Sequence, residues 1–143
     1  MKQLLTLIFL LPFYFVEARA ADYREVTDDT EITSYFSDHT LKGIEIESGD
    51  TWTEYYGPNG KVCYQFQDAY AAGRWLVKDS QVCFIYNDAE GVICYNVLER
   101  KGLFYMGYGT GPNAGEVGFV VTERNSGNSE YLGLDASCRG GGT

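Results

Sequence analysis

The chain is short of most groups that catalytic sites are built from. It has one histidine, His39, and two methionines in 143 residues. Its four cysteines form no C-x-x-C, so neither a zinc knuckle nor a thioredoxin-type redox motif is expected. No G-x-S-x-G elbow and no H-E-x-x-H occurs, which leaves serine-hydrolase and metalloprotease chemistry without its usual carriers. Positive charge is also scarce. Eleven Lys and Arg stand against twenty Asp and Glu, a formal net charge of −9. Binding to nucleic acid or to anionic lipid draws on basic residues, so neither is an expected partner. Beyond the N-terminus no run approaches the roughly 20 apolar residues that span a bilayer, and no transmembrane segment is expected in the mature chain.

What is present is aromatic and small. Twelve Tyr, eight Phe, two Trp and seventeen Gly share the chain, and 45% of it is apolar. That composition suits one globular domain and excludes a coiled coil, a collagen-like chain and a disordered one.

The N-terminus reads as a targeting segment. Lys2 precedes a nearly unbroken apolar stretch, Leu4 to Val16, and Ala18-Arg19-Ala20 follows with small residues at the −3 and −1 positions. This is the pattern of a secretory signal peptide. The expected organisation is a signal peptide over 1–20 and a single barrel-like β-domain over 21–143 with a Gly-rich tail. The expected location is periplasmic or secreted, after cleavage at Ala20.

Cys63, Cys83, Cys94 and Cys138 all fall in the mature part, and an even count in an exported chain reads as disulfides. The β-rich runs Gln81–Tyr86 and Val92–Leu98 flank the turn-rich break Asn87–Gly91. A hairpin centred between Asp88 and Ala89 sets Cys83 opposite Cys94, Phe84 opposite Ile93 and Val82 opposite Tyr95. Cys83–Cys94 is therefore expected as a cross-strand bridge, and Cys63–Cys138 by elimination.

One helix is expected, over Asp28 to Asp38. Asp28 can cap it, Glu31 stands three residues on, and Ile32, Tyr35 and Phe36 share a face. After Gly43 the pattern becomes short β-rich runs: 41–47, 51–57, 61–67, 73–78, 81–86, 92–98, 103–108, 116–123 and 130–134. Connections this short favour antiparallel neighbours. The expected fold is mainly β. It is an antiparallel meander of eight or nine strands forming a small lipocalin-like or up-and-down barrel, with the helix plugging one end.

From Thr51 to Val97 the runs have a recognisable order: Tyr55–Gly60 (YYGPNG), Ala72–Val77 (AGRWLV), Val82–Tyr86 (VCFIY) and Cys94–Val97 (CYNV). This order resembles the bacterial family called domain of unknown function 995, small exported proteins seen mainly in alphaproteobacteria. The resemblance covers about half of the mature chain and ends after Gly107. It implies an exported protein with a G-x-W strand followed by a Cys-aromatic…Cys-aromatic hairpin, and it lends no catalytic residue.

Candidate chemistry is thin. His39, with Asp38 beside it and Glu45 and Glu47 downstream, is the one grouping that suggests a metal site or a general base. A lone His leaving a helix is more often a surface or end-cap residue. The loop from Gly109 to Ala114 matches a loose dinucleotide fingerprint, but a strand pattern follows it where a helix is needed. It reads as a hairpin loop that could rim a binding site. No catalytic residue, metal or cofactor is assigned, and the expected activity is binding.

The aromatics carry that expectation. Trp52, Tyr55, Tyr56, Trp75, Tyr86 and Tyr108 are the candidate binding residues. Successive strand residues face opposite ways, so Tyr55 and Tyr56 cannot both be core, and one of them is expected to be open to a partner. The acidity favours steering toward a basic protein, such as inhibition of a basic envelope enzyme. The alternatives are a carrier holding a small apolar ligand inside the barrel, and a carboxylate-dependent envelope hydrolase. Whether the barrel is hollow or filled separates these readings.

Overall fold

A computed structural model of the chain describes residues 22–130 and 132. In the run Gln81–Tyr86, Val82 and Phe84 are buried on one face, while Ile85 is exposed on the other. The same two-residue period runs through the longer strands, and the described residues form nine strands. In chain order they are β1 (Arg24–Val26), β2 (His39–Glu45), β3 (Thr51–Tyr56), β4 (Lys61–Phe66), β5 (Ala69–Lys78), β6 (Gln81–Tyr86), β7 (Ile93–Arg100), β8 (Leu103–Tyr108) and β9 (Val117–Ser126). One helix, α1 (Asp29–Phe36), separates β1 from β2.

From β2 to β9 each strand pairs antiparallel with the next, and β9 returns to pair with β2. Eight strands thus close into an up-and-down barrel with no free edge. β1 is additional. It pairs with β7 from Val97 to Glu99, beyond the stretch of β7 that pairs with β6.

Helix α1 closes one end. Asp28 caps it, its Oδ1 accepting from the Thr30 and Glu31 amides at 2.8 and 3.0 Å. These are donors that the first turn leaves without helical partners. Glu31 accepts from Arg24 instead of completing a capping box. At the other terminus Arg124 donates to the carbonyls of Ser34 and Tyr35, and its guanidinium lies 4.8 Å from the Tyr35 ring centre. Ile32 and Phe36 point into the barrel. The Phe36 ring meets Tyr56 at 4.9 Å and Trp75 at 6.4 Å. With Val26, Leu41, Val62, Val82 and Val97 they fill this half of the interior.

The expected hairpin register is found: Cys83 pairs with Cys94, Phe84 with Ile93 and Val82 with Tyr95. Cys83 and Cys94 are joined by a disulfide, and strand alternation puts it on the outer wall beside the hydrogen bond from Gln81 to Asn96. Cys63 is buried and is not free. Its expected partner Cys138 lies outside the described residues, as do the segment 1–20 and the Gly-rich tail.

Three expectations need correction. The strand expected over 73–78 starts earlier: β5 begins at Ala69, and the turn before it is only Gln67-Asp68, with Gln67 at a φ of 53°. Residues 130 and 132 of the expected last strand are not in a strand. The ninth strand is β1 instead, three residues too short to show a period. Tyr55 and Tyr56 do face opposite sides, yet both are buried. The chain beyond β9 turns back over the outer wall, tied by Thr40 Oγ1 donating to the Gly127 carbonyl and accepting from the Ser129 amide. Tyr55 packs there with Cys63, Ala72 and Leu132, and its hydroxyl donates to Asp38. It is not open to a partner.

Candidate functional site

The barrel is filled at the helix end and hollow at the other. The turns after β2, β4, β6 and β8 surround the hollow end. Inside it lies a cup of about 220 Å³. Trp52, Tyr64, Phe84, Tyr86, Tyr95 and Phe119 supply aromatic walls, and Met106 and Ile93 complete the apolar lining. Ile93 is 39% exposed, which places it at the rim. Phe84 and Tyr86 stack nearly parallel, Tyr95 meets Phe119 edge-on at 5.5 Å, and Trp52 meets Phe119 edge-on at 6.4 Å. These rings come from β3, β4, β6, β7 and β9, so closure of the barrel is what assembles the cup.

Trp52 owes its place to Gly43. A Cβ at Gly43 would overlap the Trp52 ring and the Val120 carbonyl oxygen. The indole lies against bare backbone in that gap. Its Nε1–H is buried and has no hydrogen-bond partner, which is costly for a donor shut away from water.

One carboxylate lines the cup. Glu54 is 3% exposed. Its two oxygens each accept a 2.6 Å hydrogen bond, Oε2 from the Tyr56 hydroxyl and Oε1 from the Tyr86 hydroxyl. None of the described ion pairs includes Glu54. Burial pushes its carboxyl up to about 7, and the two tyrosine hydroxyls pull the other way. The same burial, together with the carboxylate, raises Tyr56 and Tyr86 well above the ordinary phenol value. Near neutral pH the acid at the base of this cup is therefore poised between its two forms.

Of the six candidate aromatics, Trp52 and Tyr86 line the cup. Tyr56 lies beneath it, where it holds Glu54. Trp75 is core at the helix end, its Nε1–H donating to the Gly57 carbonyl at 2.9 Å. Tyr55 is outside, as above. Tyr108 lies over Gly118, which has no room for a Cβ beneath the ring. It touches the cup through Tyr95 and Phe119 and borders a second hollow with Glu47 and Glu116.

His39 opens β2 at the helix end, with Nδ1 2.7 Å from the Ser37 carbonyl. Glu45 closes the same strand, roughly 20 Å away at about 3.3 Å per residue, so His39 and Glu45 cannot share a metal or a proton. Among the described residues no three His, Cys, Asp or Glu side chains gather as a metal site requires. The 109–115 segment joins two strands at the hollow end and opens no helix.

Glu54 escaped the sequence reading, although a signal was there. Trp52, Glu54 and Tyr56 alternate along β3, so a carboxylate shares the face of two large aromatics that any barrel would turn inward.

No family model, no curated protein and no solved structure matches the chain. No described helix is long and apolar enough to cross a membrane.

Proposed function

We propose that this is an exported binding protein without catalytic activity of its own, and that the aromatic cup holds a small ligand with an apolar or aromatic body. The observation that carries this reading is the cup itself, apolar-walled and open at one end. An apolar cavity of about 150 Å³ is enough for benzene, so a cup of about 220 Å³ admits one ring and a short chain. A mostly apolar pocket with a few placed polar groups is the usual form of a small-molecule site.

The geometry favours this carrier reading over the basic protein partner. A protein-binding surface draws its energy from a few anchors, often Trp or Tyr. None of the described aromatic side chains is exposed. The large apolar residues that are exposed, among them Leu76, Ile85 and Leu103, carry no ring. A glycosidase-like mechanism uses two carboxylates across the substrate, whereas Glu54 is the one carboxylate among the residues lining the cup. The leader pattern at 1–20, the Cys83–Cys94 bridge and the resemblance to domain of unknown function 995 support export, and none of them speaks to the ligand.

The test is titration of 2-phenylethanol, a ring-sized neutral probe, followed by calorimetry. Binding at one site that Ile93→Trp abolishes supports the reading. Binding unaffected by that substitution refutes it.

A further inference from the structure

We propose that the ligand is an organic cation, an amine with an apolar or aromatic body, whose ammonium group pairs with Glu54 while the body lies among the rings. This rests on the reading of the cup as the ligand site and names the chemical class it takes.

Three features of the cup converge on it. Glu54 is buried and unpaired by any described cation. Each oxygen accepts one hydrogen bond from tyrosine, and each retains a free lone pair. A buried carboxylate without a counter-charge is an unfavourable arrangement that an incoming cation relieves. Rings surround it, and the faces of Trp and Tyr attract cations.

The field inside the barrel has one sign. The tyrosines around Glu54 are Tyr56 on β3, Tyr64 on β4, Tyr86 on β6 and Tyr95 on β7, while Tyr108 on β8 meets Tyr95 and Phe119 instead. Glu45, on β2, shares the inner face by strand alternation, and its charge acts on Tyr64, Tyr95 and Tyr108. β9 brings Phe119 and no charge. The groups acting on Glu54 are the Tyr56 and Tyr86 hydroxyls, with no Lys, Arg or His among them. Lys42 is engaged with Glu123 and Glu130, and Arg124 with the end of α1. An anionic ligand would meet repulsion. A neutral one would leave the carboxylate unpaired or force it to take up a proton.

The pairing makes binding depend on pH. The cation needs Glu54 ionised, so affinity rises with pH and levels off above about 7. Below that point it falls by about tenfold per pH unit, because each bound cation must displace a proton.

Three probes of one shape test this: 2-phenylethylamine, 2-phenylethanol and 3-phenylpropanoate, titrated calorimetrically at about pH 8 and pH 5.5. We expect the amine to bind about tenfold or more tightly than the alcohol at the higher pH, and to lose about tenfold or more at the lower. The alcohol should hold or gain as the pH falls, and the propanoate should bind weakest. In Glu54→Gln the amine should lose its advantage while the alcohol still binds. If that variant does not fold, the pH profile of the unaltered protein still separates the amine from the alcohol. An alcohol that equals the amine at about pH 8 overturns the inference and leaves the cup as a ligand site. Failure of all three probes removes the inference and the proposed function together.

Discussion

The Tyr86 hydroxyl donates a 2.6 Å hydrogen bond to Glu54 Oε1, joining β6 to β3 across the interior of the barrel. The two residues are 32 positions apart in the chain and meet only because the strands between them curl the wall round. With Tyr56 on the second oxygen, the carboxylate is held still but not neutralised. A structural hydrogen bond and an unspent charge thus occupy one place, and the pH behaviour of the protein follows from it.

The first prediction concerns stability. Burial raises the Glu54 carboxyl to about 7 in the folded chain, against roughly 4.3 in an unfolded one. The folded state then binds the proton more tightly than the unfolded state does. Stability is fully present below about pH 4 and is lost as pH rises toward and past 7. The full loss amounts to about 4 kcal/mol at 1.36 kcal/mol per pH unit. Urea unfolding at about pH 5 and pH 8 should show this contribution in the natural chain, and Glu54→Gln should remove it. Equal pH slopes in the two proteins would contradict it.

Gly43→Ala should cost about 1–3 kcal/mol, the usual range for overpacking. The new methyl has the Trp52 ring on one side and the Val120 carbonyl on the other, so the indole and the β9 backbone must both shift. Chemical denaturation measures the loss, and a change in tryptophan emission reports the moved ring. An unchanged spectrum at unchanged stability would show that the gap beneath Trp52 is wider than described.

Much of this is legible in the chain. Hairpins whose turns are marked by Asn, Asp and Gly can be placed to the residue, and the register of Cys83 with Cys94 follows from the turn between them. Strand alternation indicates which aromatics face inward. It does not say what covers the outer face, and so it leaves Tyr55 at the surface. The covering segment meets it from nearly eighty positions away, at Leu132, through contacts that leave no periodic trace. β1 is hidden for a similar reason: three residues have no pattern, and its partner in β7 is distant. The hollow at one end is not readable at all. It depends on α1 stopping short of the far half of the barrel, a matter of packing depth.

Replacing Cys83 and Cys94 together by Ser should lower stability by about 3 kcal/mol, the chain-entropy value for a loop of this size, in which the cysteines are 11 positions apart. The bridge lies on the outer wall, so affinity for a cup ligand should not change. Thermal melts and a parallel probe titration check both halves. Loss of binding with the fold intact would mean that the bridge holds the rim formed by Ile93.

Asp28→Ala removes the oxygen that accepts from Thr30 and Glu31 and should cost about 1 kcal/mol. Helix α1 plugs the end away from the cup, so this loss too should leave probe binding unaltered in the folded protein. A melt paired with the same titration decides it.

The central claim is that the hollow end of the barrel is a ligand site, and calorimetric titration of 2-phenylethanol into the natural chain and into Ile93→Trp tests it most directly. Ile93 stands at the rim and is partly exposed, so a larger side chain there can block the cup without disturbing the core. The account predicts single-site binding to the natural chain, none to the variant, and equal melting temperatures for the two. Equal binding to both proteins, or no binding to the natural chain by any ring-sized probe, would contradict it.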